Sequence, residues 1–287
     1  MRDAADGTEP GAEIQPGGEG GAIFGDRRMG LIDRRRGEGP DRPVCLAAVG
    51  DFHCGDGDAG AYRELFARAN DEADVLVLAG DLTRRGYASE MRIAMGELAD
   101  VKIPIVAVLG NHDYEAGETP ECIAVLRHRG VHVLQGDTFE IEGRVGIAGV
   151  KGFMGGFGRA ALTSFGEPET KAFVAAALED VQRLELALRR LTAPVRAVVL
   201  HYAPIAGTVT GEPEVIYPFL GTDRLAEPLD RYGASVVFHG HAHAGAFRGA
   251  TPAGVPVFNV ALPVLRRDGV GRMYYLHQAL AAGARRA

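Results

Sequence analysis

Three short apolar runs in the first half of the sequence each end in a glycine followed directly by polar residues, and their spacing constrains the fold. The dipeptides are Gly50-Asp51, Gly80-Asp81 and Gly110-Asn111, and successive ones are 30 residues apart. This interval is about the length of one β-α-β unit. Because the carboxyl ends of parallel strands meet at one edge of a sheet, where α/β proteins bind ligands, we expect these polar residues to converge. The glycines allow the sharp turns that such an approach requires.

Two later apolar runs deliver histidines in the same way. His201 follows residues 195–200, and His241 and His243 follow residues 236–238. Together the strand ends offer nitrogen and oxygen ligands without a thiolate: Asp51, His53, Asp81, Asn111, His112, His201, His241 and His243. Such a set suits Mn²⁺, Fe²⁺ or Fe³⁺, Co²⁺, Ni²⁺ or Zn²⁺. It is too large for one tetrahedral site and about sufficient for two ions, which a carboxylate is expected to share.

A pair of ions indicates a reaction class. Two metals about 3.5 to 4 Å apart can hold the attacking and the leaving oxygen of an in-line phosphoryl displacement. The ligand set therefore favours phosphoester chemistry.

The rest of the pattern predicts an α/β fold. Helices are predicted over residues 59–72, 87–100, 119–130 and 167–192. Strands are predicted over residues 44–50, 74–80, 105–110, 131–134, 138–142, 144–150, 195–200, 234–238, 255–260 and 273–276. Strand and helix alternate at first, and a hairpin signal follows at Glu142-Gly143-Arg144, so the expectation is a layered domain with mixed sheets.

The chain divides at about residue 43. Residues 1–43 are rich in glycine, arginine and acidic residues and poor in apolar ones, which predicts a disordered tail. Met29 is an alternative start of translation. No linker marks a boundary within residues 44–287, so we expect a single domain there.

Composition excludes several classes of protein. The formal net charge of −7 argues against a surface that binds long nucleic acids or an anionic membrane. No apolar stretch has the roughly 18 to 20 residues of a membrane-spanning helix. Three cysteines do not form a disulfide framework. The expectation is a soluble cytoplasmic protein.

At this point the sequence resembles a known family. Five blocks match, in order, the signature of the calcineurin-like metallophosphoesterases: Asp51-Phe52-His53, Gly80-Asp81, Gly110-Asn111-His112-Asp113, His201 and Gly240-His241-Ala242-His243. The resemblance implies a four-layer α-β-β-α sandwich of two mixed sheets with a dimetal site at the strand ends. It also implies two ligand sets that share Asp81, the first with Asp51, His53 and His243, the second with Asn111, His201 and His241.

The resemblance also implies an activity. A hydroxide bridging the two ions would attack phosphorus in line, and His112 would contact the phosphate and help to protonate the leaving group. Asp113 is expected at the catalytic site in a role that supports His112. The expected enzyme is a metal-dependent hydrolase of small phosphodiesters or phosphomonoesters. A protein phosphatase, a nuclease of the same superfamily and an inactive metal-binding scaffold remain alternatives.

Residues around the motifs bear on the substrate. The related protein phosphatases carry an acidic residue three positions after the bridging aspartate, whereas this chain has Arg84, which argues against that activity. The glycine-rich stretch 151–159 offers Lys151 or Arg159 as a phosphate contact, with a flexible connection as the alternative. Tyr202 and residues 217–219 are candidates for a wall of the site.

Overall fold

The structure is a computed structural model that describes residues 42–270 and 273–279. Its strands are β1 (Val44–Val49), β2 (Val75–Ala79), β3 (Ile105–Val108), β4 (Val131–Val133), β5 (Asp137–Ile141), β6 (Val145–Gly149), β7 (Val195–Val199), β8 (Val236–His239), β9 (Arg248–Ala250), β10 (Pro256–Asn259) and β11 (Tyr275–Ala279). Its α-helices are α1 (Arg63–Glu72), α2 (Ala88–Glu97), α3 (Thr119–His128), α4 (Pro168–Arg190), α5 (Tyr217–Leu220), α6 (Ala226–Arg231) and α7 (Leu262–Arg267). The tail predicted over residues 1–43 lies almost entirely outside the described residues.

The strands form two sheets, and each is mixed. The first has the order β11-β1-β2-β3-β4, in which only β11 runs antiparallel to its neighbour. The second has the order β5-β6-β7-β8-β10-β9, with antiparallel pairs at its two ends. Strands β1, β2 and β3 are buried along their whole length, as continuous apolar strands covered on both faces should be.

The alternation of side chains in the second sheet shows how the layers pack. Val199 and Phe238 point into the main core together with residues of β1, β2 and β3, so this core lies between the two sheets. Their neighbours Val198 and Val237 belong to a second cluster with Leu188 of α4 and with residues of α6. Helices α1, α2 and α3 add buried side chains to the core on the side of the first sheet. The predicted four-layer α-β-β-α sandwich is confirmed.

The secondary structure differs from its prediction mainly at element ends. Helix α1 begins at Arg63 rather than at residue 59. The Glu97 carboxylate accepts hydrogen bonds from the backbone N–H groups of Gly60 and Tyr62, which holds this segment as a turn. Helices α5, α6 and α7 and strand β9, which are three to six residues long, were not predicted.

The helices also bear on membrane insertion. None of those within residues 42–270 and 273–279 is both long enough and apolar enough to cross a lipid bilayer.

Candidate metal centre

The predicted ligands converge at the ends of five strands. Asp51 and His53 follow β1, Asp81 follows β2, and Asn111 follows β3, all in the first sheet. The second sheet contributes the other three, His201 after β7 and His241 and His243 after β8. Donor atoms of three overlapping groups lie within 4.8 Å of one another: Asp51, His53 and His243; His53, Asp81 and His112; and Asp81, His201 and His241.

Four of these residues have left-handed backbones. The φ angles of Asp51, His53, Asp81 and His241 are 56°, 43°, 50° and 69°. Only two other non-glycine residues in the described part of the chain have a positive φ. This conformation is disfavoured for residues with a side chain and persists where the surroundings impose it, typically at functional sites.

Glycines make room for the two buried carboxylates. A Cβ atom on Gly110 would lie 2.1 Å from Asp81 Oδ1, and one on Gly240 would lie 2.1 Å from Asp51 Oδ2. Gly80 has a φ of +86°, and its Cβ would lie 2.5 Å from the His201 ring. The glycines of the motifs are therefore required for the close approach that the sequence predicted.

Asn111, His201 and His241 form what we call the buried half of the centre. His201 is fully buried, and its Nδ1 donates to the Ala79 carbonyl oxygen at 2.9 Å. His241 Nε2 donates to the Phe219 carbonyl oxygen at 3.1 Å. Because a carbonyl only accepts hydrogen bonds, each ring must carry its proton on the nitrogen that faces the carbonyl. The other nitrogen of each ring then has a free lone pair.

Electrostatics keeps both rings of the buried half neutral. Burial lowers the pKa of His201 well below its usual value and that of His241 to about 3. The free Nε2 of His201 lies 2.9 Å from Asn111 Oδ1. Two acceptors at this distance without a proton between them repel each other, and a cation between them removes the repulsion.

Asp51, His53 and His243 form the open half of the centre. The side chain of His243 is 43% exposed and that of His53 is 22% exposed. His243 Nε2 lies 3.0 Å from Asp51 Oδ1 and 3.4 Å from His53 Nε2. The hydrogen bond to Asp51 raises the pKa of His243, whereas burial lowers the pKa of His53. The backbone N–H of His241 donates to both oxygens of Asp51, at 2.9 and 3.1 Å.

Asp81 lies between the two halves. Its Oδ1 is 3.4 Å from His201 Nε2, and its Oδ2 is 3.8 Å from His53 Nε2. Burial, followed by the charges of Asp51 and Asp113, raises the pKa of the Asp81 carboxyl to about 9. A cation in contact with this group favours its ionised form and reverses the shift. The residues present therefore fit metal ions in both halves.

His112 lies at the rim of the centre. Its backbone N–H donates to Asp81 Oδ1 at 2.9 Å, and its ring is 4.7 Å from that of His53, centroid to centroid. Nδ1 donates to the Arg84 carbonyl oxygen at 2.8 Å and lies 3.3 Å from Glu115 Oε2. The side chain is 39% exposed, so its other nitrogen is open to a ligand.

Asp113 differs from His112 in being completely buried. Its carboxylate accepts hydrogen bonds from the backbone N–H groups of Leu82, Thr83 and Gly110 and from the Thr83 hydroxyl. These contacts join the loops after β2 and β3. The carboxylate thus positions the segments that carry Asp81 and His112.

The other candidates also border the centre. The Tyr202 ring lies 4.5 Å from that of His241, and the backbone of Phe219 contacts His241 directly. The Lys151 carbonyl oxygen accepts from the backbone N–H of His201 at 3.0 Å, whereas Arg159 is exposed. Sequence reasoning missed the roles of the Ala79, Arg84 and Phe219 carbonyls, because a backbone contact leaves no signal in residue type.

The fold and the site together define a class, a two-sheet sandwich with carboxylate, amide and imidazole donors at its strand ends. The model of the calcineurin-like phosphoesterase family matches residues 46–245, which is more than half of the chain. The chain belongs to this family. No protein with a curated description matches it significantly.

Two solved structures show the same fold at low sequence identity. The structure of TT1561 of Thermus thermophilus is similar with a TM-score of 0.52 and 17% identity, over 82% of this chain and 99% of that chain. A second has a TM-score of 0.54 and 13% identity, again over 82% of this chain and 99% of that chain.

Proposed function

We propose that the protein is a dinuclear metal-dependent hydrolase of small phosphoesters. The position of Asp81 carries this proposal, because its two carboxylate oxygens face histidines of different halves. In this proposal Asp51, His53 and His243 hold one ion, Asn111, His201 and His241 hold the other, and Asp81 bridges them. When bound, such ions activate water as a nucleophile and stabilise the charge that develops on phosphoryl oxygens.

The protein's own groups prepare the site for these ligands. The carbonyls of Ala79 and Phe219 orient the His201 and His241 rings, and the backbone N–H of His241 fixes the Asp51 carboxylate. Orientation by such partners fixes the tautomer of a ligating histidine and raises its basicity. The other nitrogen of each ring would therefore be available to an ion without first releasing a proton.

His112 is proposed as the residue that handles the leaving group. The Arg84 carbonyl holds its Nδ1, so Nε2 is the nitrogen available to a phosphoryl oxygen or to the departing group. The Glu115 carboxylate lies 3.3 Å from the same Nδ1 and helps to hold the ring in this orientation. The protonated ring donates from Nε2 to the leaving oxygen as the ester bond breaks. Asp113 supports this step only by holding the loop.

Small esters are the favoured substrates. Arg84 makes an ion pair with Asp58 at 2.8 Å and gives only its carbonyl to His112, so the acid pairing typical of the related protein phosphatases is absent at this position. The net charge of −7 disfavours long nucleic acids. An ester assay decides whether a diester or a monoester is preferred.

We further expect a cytoplasmic protein without a membrane partner. Cys45, Cys54 and Cys122 are all buried, and none of them is in a disulfide within the described residues. Burial raises the pKa of Cys54 and of Cys122 to about 12, which keeps both as unreactive thiols. Free thiols of this kind are typical of a reducing compartment.

The test is hydrolysis of bis-p-nitrophenyl phosphate and p-nitrophenyl phosphate by protein loaded with Mn²⁺, Fe²⁺, Co²⁺, Ni²⁺ or Zn²⁺. We expect turnover of at least one ester, and its loss after chelation. Failure of every metal-loaded form on both esters would refute the proposal.

A matched pair of histidine variants tests the role of His112. His112→Gln should lower kcat by about 100-fold, within the usual range for general acid catalysis, while the bound metal is unchanged. His128→Gln, on the exposed end of α3, serves as the control and should match the wild type. Equal activity of both variants would remove His112 from the mechanism.

A further inference from the structure

A cavity of about 230 Å³ lies beside the buried half of the metal centre. Its lining includes the ring of Phe153 and six polar side chains, those of Tyr114, Gln135, Lys151, Glu179, Asp180 and Arg183. A volume of this size holds a small polar group rather than a whole drug-sized ligand. The residues that line it were not needed for the ligand sets described above.

Lys151 is a cation of this cavity that makes no close ion pair. Its ammonium is largely buried and donates one hydrogen bond, to the Gly152 carbonyl oxygen at 2.7 Å. Within the part of the chain that the structure describes, no carboxylate oxygen lies within 4.0 Å of it. Arg183, in contrast, is engaged by Glu179 and Asp180. Because a lysine ammonium has three donors, two remain for a ligand.

Aromatic rings, rather than a carboxylate, contact the Lys151 ammonium. Lys151 Nζ lies 4.7 Å from the ring centre of Phe153, 4.9 Å from that of Tyr202 and 5.6 Å from that of Tyr114. Cation–π contacts at these distances favour the charged form and use none of its N–H donors. Burial lowers the pKa of Lys151, and the carboxylates of Asp180 and Asp81 oppose this shift.

The cavity is connected to the candidate centre through short links. The Lys151 carbonyl oxygen accepts from the backbone N–H groups of His201 and Tyr202, at 3.0 and 3.1 Å. Tyr114 belongs to the same helical turn as His112. The Tyr202 ring contacts both the ammonium and the His241 ring. The ammonium and the His241 ring thus lie against the same tyrosine ring, which places the cavity next to the candidate centre.

We propose that Lys151 binds a second anionic group of the substrate, separate from the phosphate that is cleaved. The inference rests on the proposed function, since it assumes a phosphoester at the metal centre. It specifies the substrate class as phosphoesters that carry a further carboxylate or phosphate. Both groups accept hydrogen bonds from an ammonium, and the experiment separates them.

The test compares three aryl phosphates: phenyl phosphate, 4-carboxyphenyl phosphate and 1,4-phenylene bisphosphate. In Lys151→Met the side chain stays unbranched and apolar along its stem but loses the ammonium group and its charge. We expect KM for the esters with a second anion to rise about 10- to 100-fold, as loss of one charged hydrogen bond implies, and KM for phenyl phosphate to stay the same. The ester with the larger change identifies the preferred anion.

Lys171→Met is the matched control, because it makes the same substitution at an exposed lysine of α4 that does not line the cavity. It should leave all three KM values unchanged. An equal loss on all three substrates in Lys151→Met would place Lys151 at the cleaved phosphate or in a structural role and would overturn the proposal. Unchanged KM values for all three would overturn it as well.

A binding measurement keeps the two proposals distinct. The probes are phenylphosphonate, 4-carboxyphenylphosphonate and 1,4-phenylenebisphosphonate, which cannot be hydrolysed at the phosphorus–carbon bond, titrated calorimetrically into metal-loaded protein. A preference for a probe with a second anion that disappears in Lys151→Met supports the anion site even if no ester is turned over, in which case only the hydrolase proposal fails. Ester turnover with equal affinity for all three probes and no effect of Lys151→Met would refute only the anion site.

Discussion

The two halves of the candidate metal centre are built by opposite means. In the buried half, carbonyl oxygens orient His201 and His241, and burial keeps both rings neutral. In the open half, His53 and His243 are partly exposed, and the Asp51 carboxylate raises the pKa of His243. The buried half is therefore preorganised by the fold, whereas the open half depends on side chains that solvent reaches.

The largest loss of metal and of activity is expected from a substitution of Asp81, which lies between the two halves. Asp81→Asn keeps the shape of the side chain but removes the charge that both halves share. We expect both ions to be lost and kcat/KM for ester hydrolysis to fall more than the roughly 10- to 100-fold that loss of an outer partner costs. Metal analysis after dialysis, combined with the ester assay, measures both. Retention of two ions with activity near that of the wild type would show that Asp81 is not shared.

A pair of glycine variants separates the halves. Gly110→Ala places a Cβ against Asp81, and Gly240→Ala places one against Asp51, both at 2.1 Å. Each should lower the free energy of unfolding by about 1–3 kcal/mol through overpacking, as measured in urea. Gly110→Ala should reduce the occupancy of both ions, and Gly240→Ala that of the open half alone.

Gly96→Ala is the control for this pair. Nothing lies within 4 Å of the added methyl group, and Gly96 lies within α2, so this change should stabilise the protein by about 0.5–1 kcal/mol. If all three variants lost metal equally, the close packing around the carboxylates would not explain the result.

Chelation tests the difference in exposure directly. Treatment of the metal-loaded protein with EDTA should release the ions in two phases, the faster one from the open half. His243→Ala should remove the fast phase and leave the slow one. A single phase in the wild type would mean that the two halves do not differ in accessibility.

The smallest change in metal affinity is expected from a substitution of Phe219. Its side chain is 56% exposed, and its contact with His241 is made by the backbone carbonyl. Phe219→Ala should therefore leave the affinity of the buried half for metal unchanged, as measured by competition with a chromophoric chelator. A loss of more than about tenfold would indicate that the ring, rather than the carbonyl, supports His241.

Local patterns predicted a layered α/β domain with mixed sheets and the convergence of the polar residues, whereas the four-layer sandwich was implied by the resemblance to the family. Apolar runs as in β1 and β2 are typical of buried strands, and equal spacing brings Asp51, Asp81 and Asn111 to one edge. The turn before α1 was not predictable, because it depends on Glu97, a residue distant in the sequence.

The detailed geometry of the centre was beyond prediction for a related reason. A left-handed backbone is expected at glycine, but residue type does not predict it at Asp51 or His241, which both have a positive φ. The contact between Glu115 and His112 likewise depends on the helical turn after β3. Residue types indicated which side chains meet, and only the fold determines which atoms face each other.

The left-handed backbones have a consequence for laboratory evolution. Each such conformation at a residue with a side chain costs roughly 1 kcal/mol or more, a cost that glycine avoids. Replacement by glycine should therefore raise stability and remove a candidate metal ligand at the same time at four positions: Asp51, His53, Asp81 and His241. In a library of variants selected without metal and only for resistance to heat, glycine and asparagine should accumulate first at these four positions. Deep sequencing of the surviving variants would identify the positions.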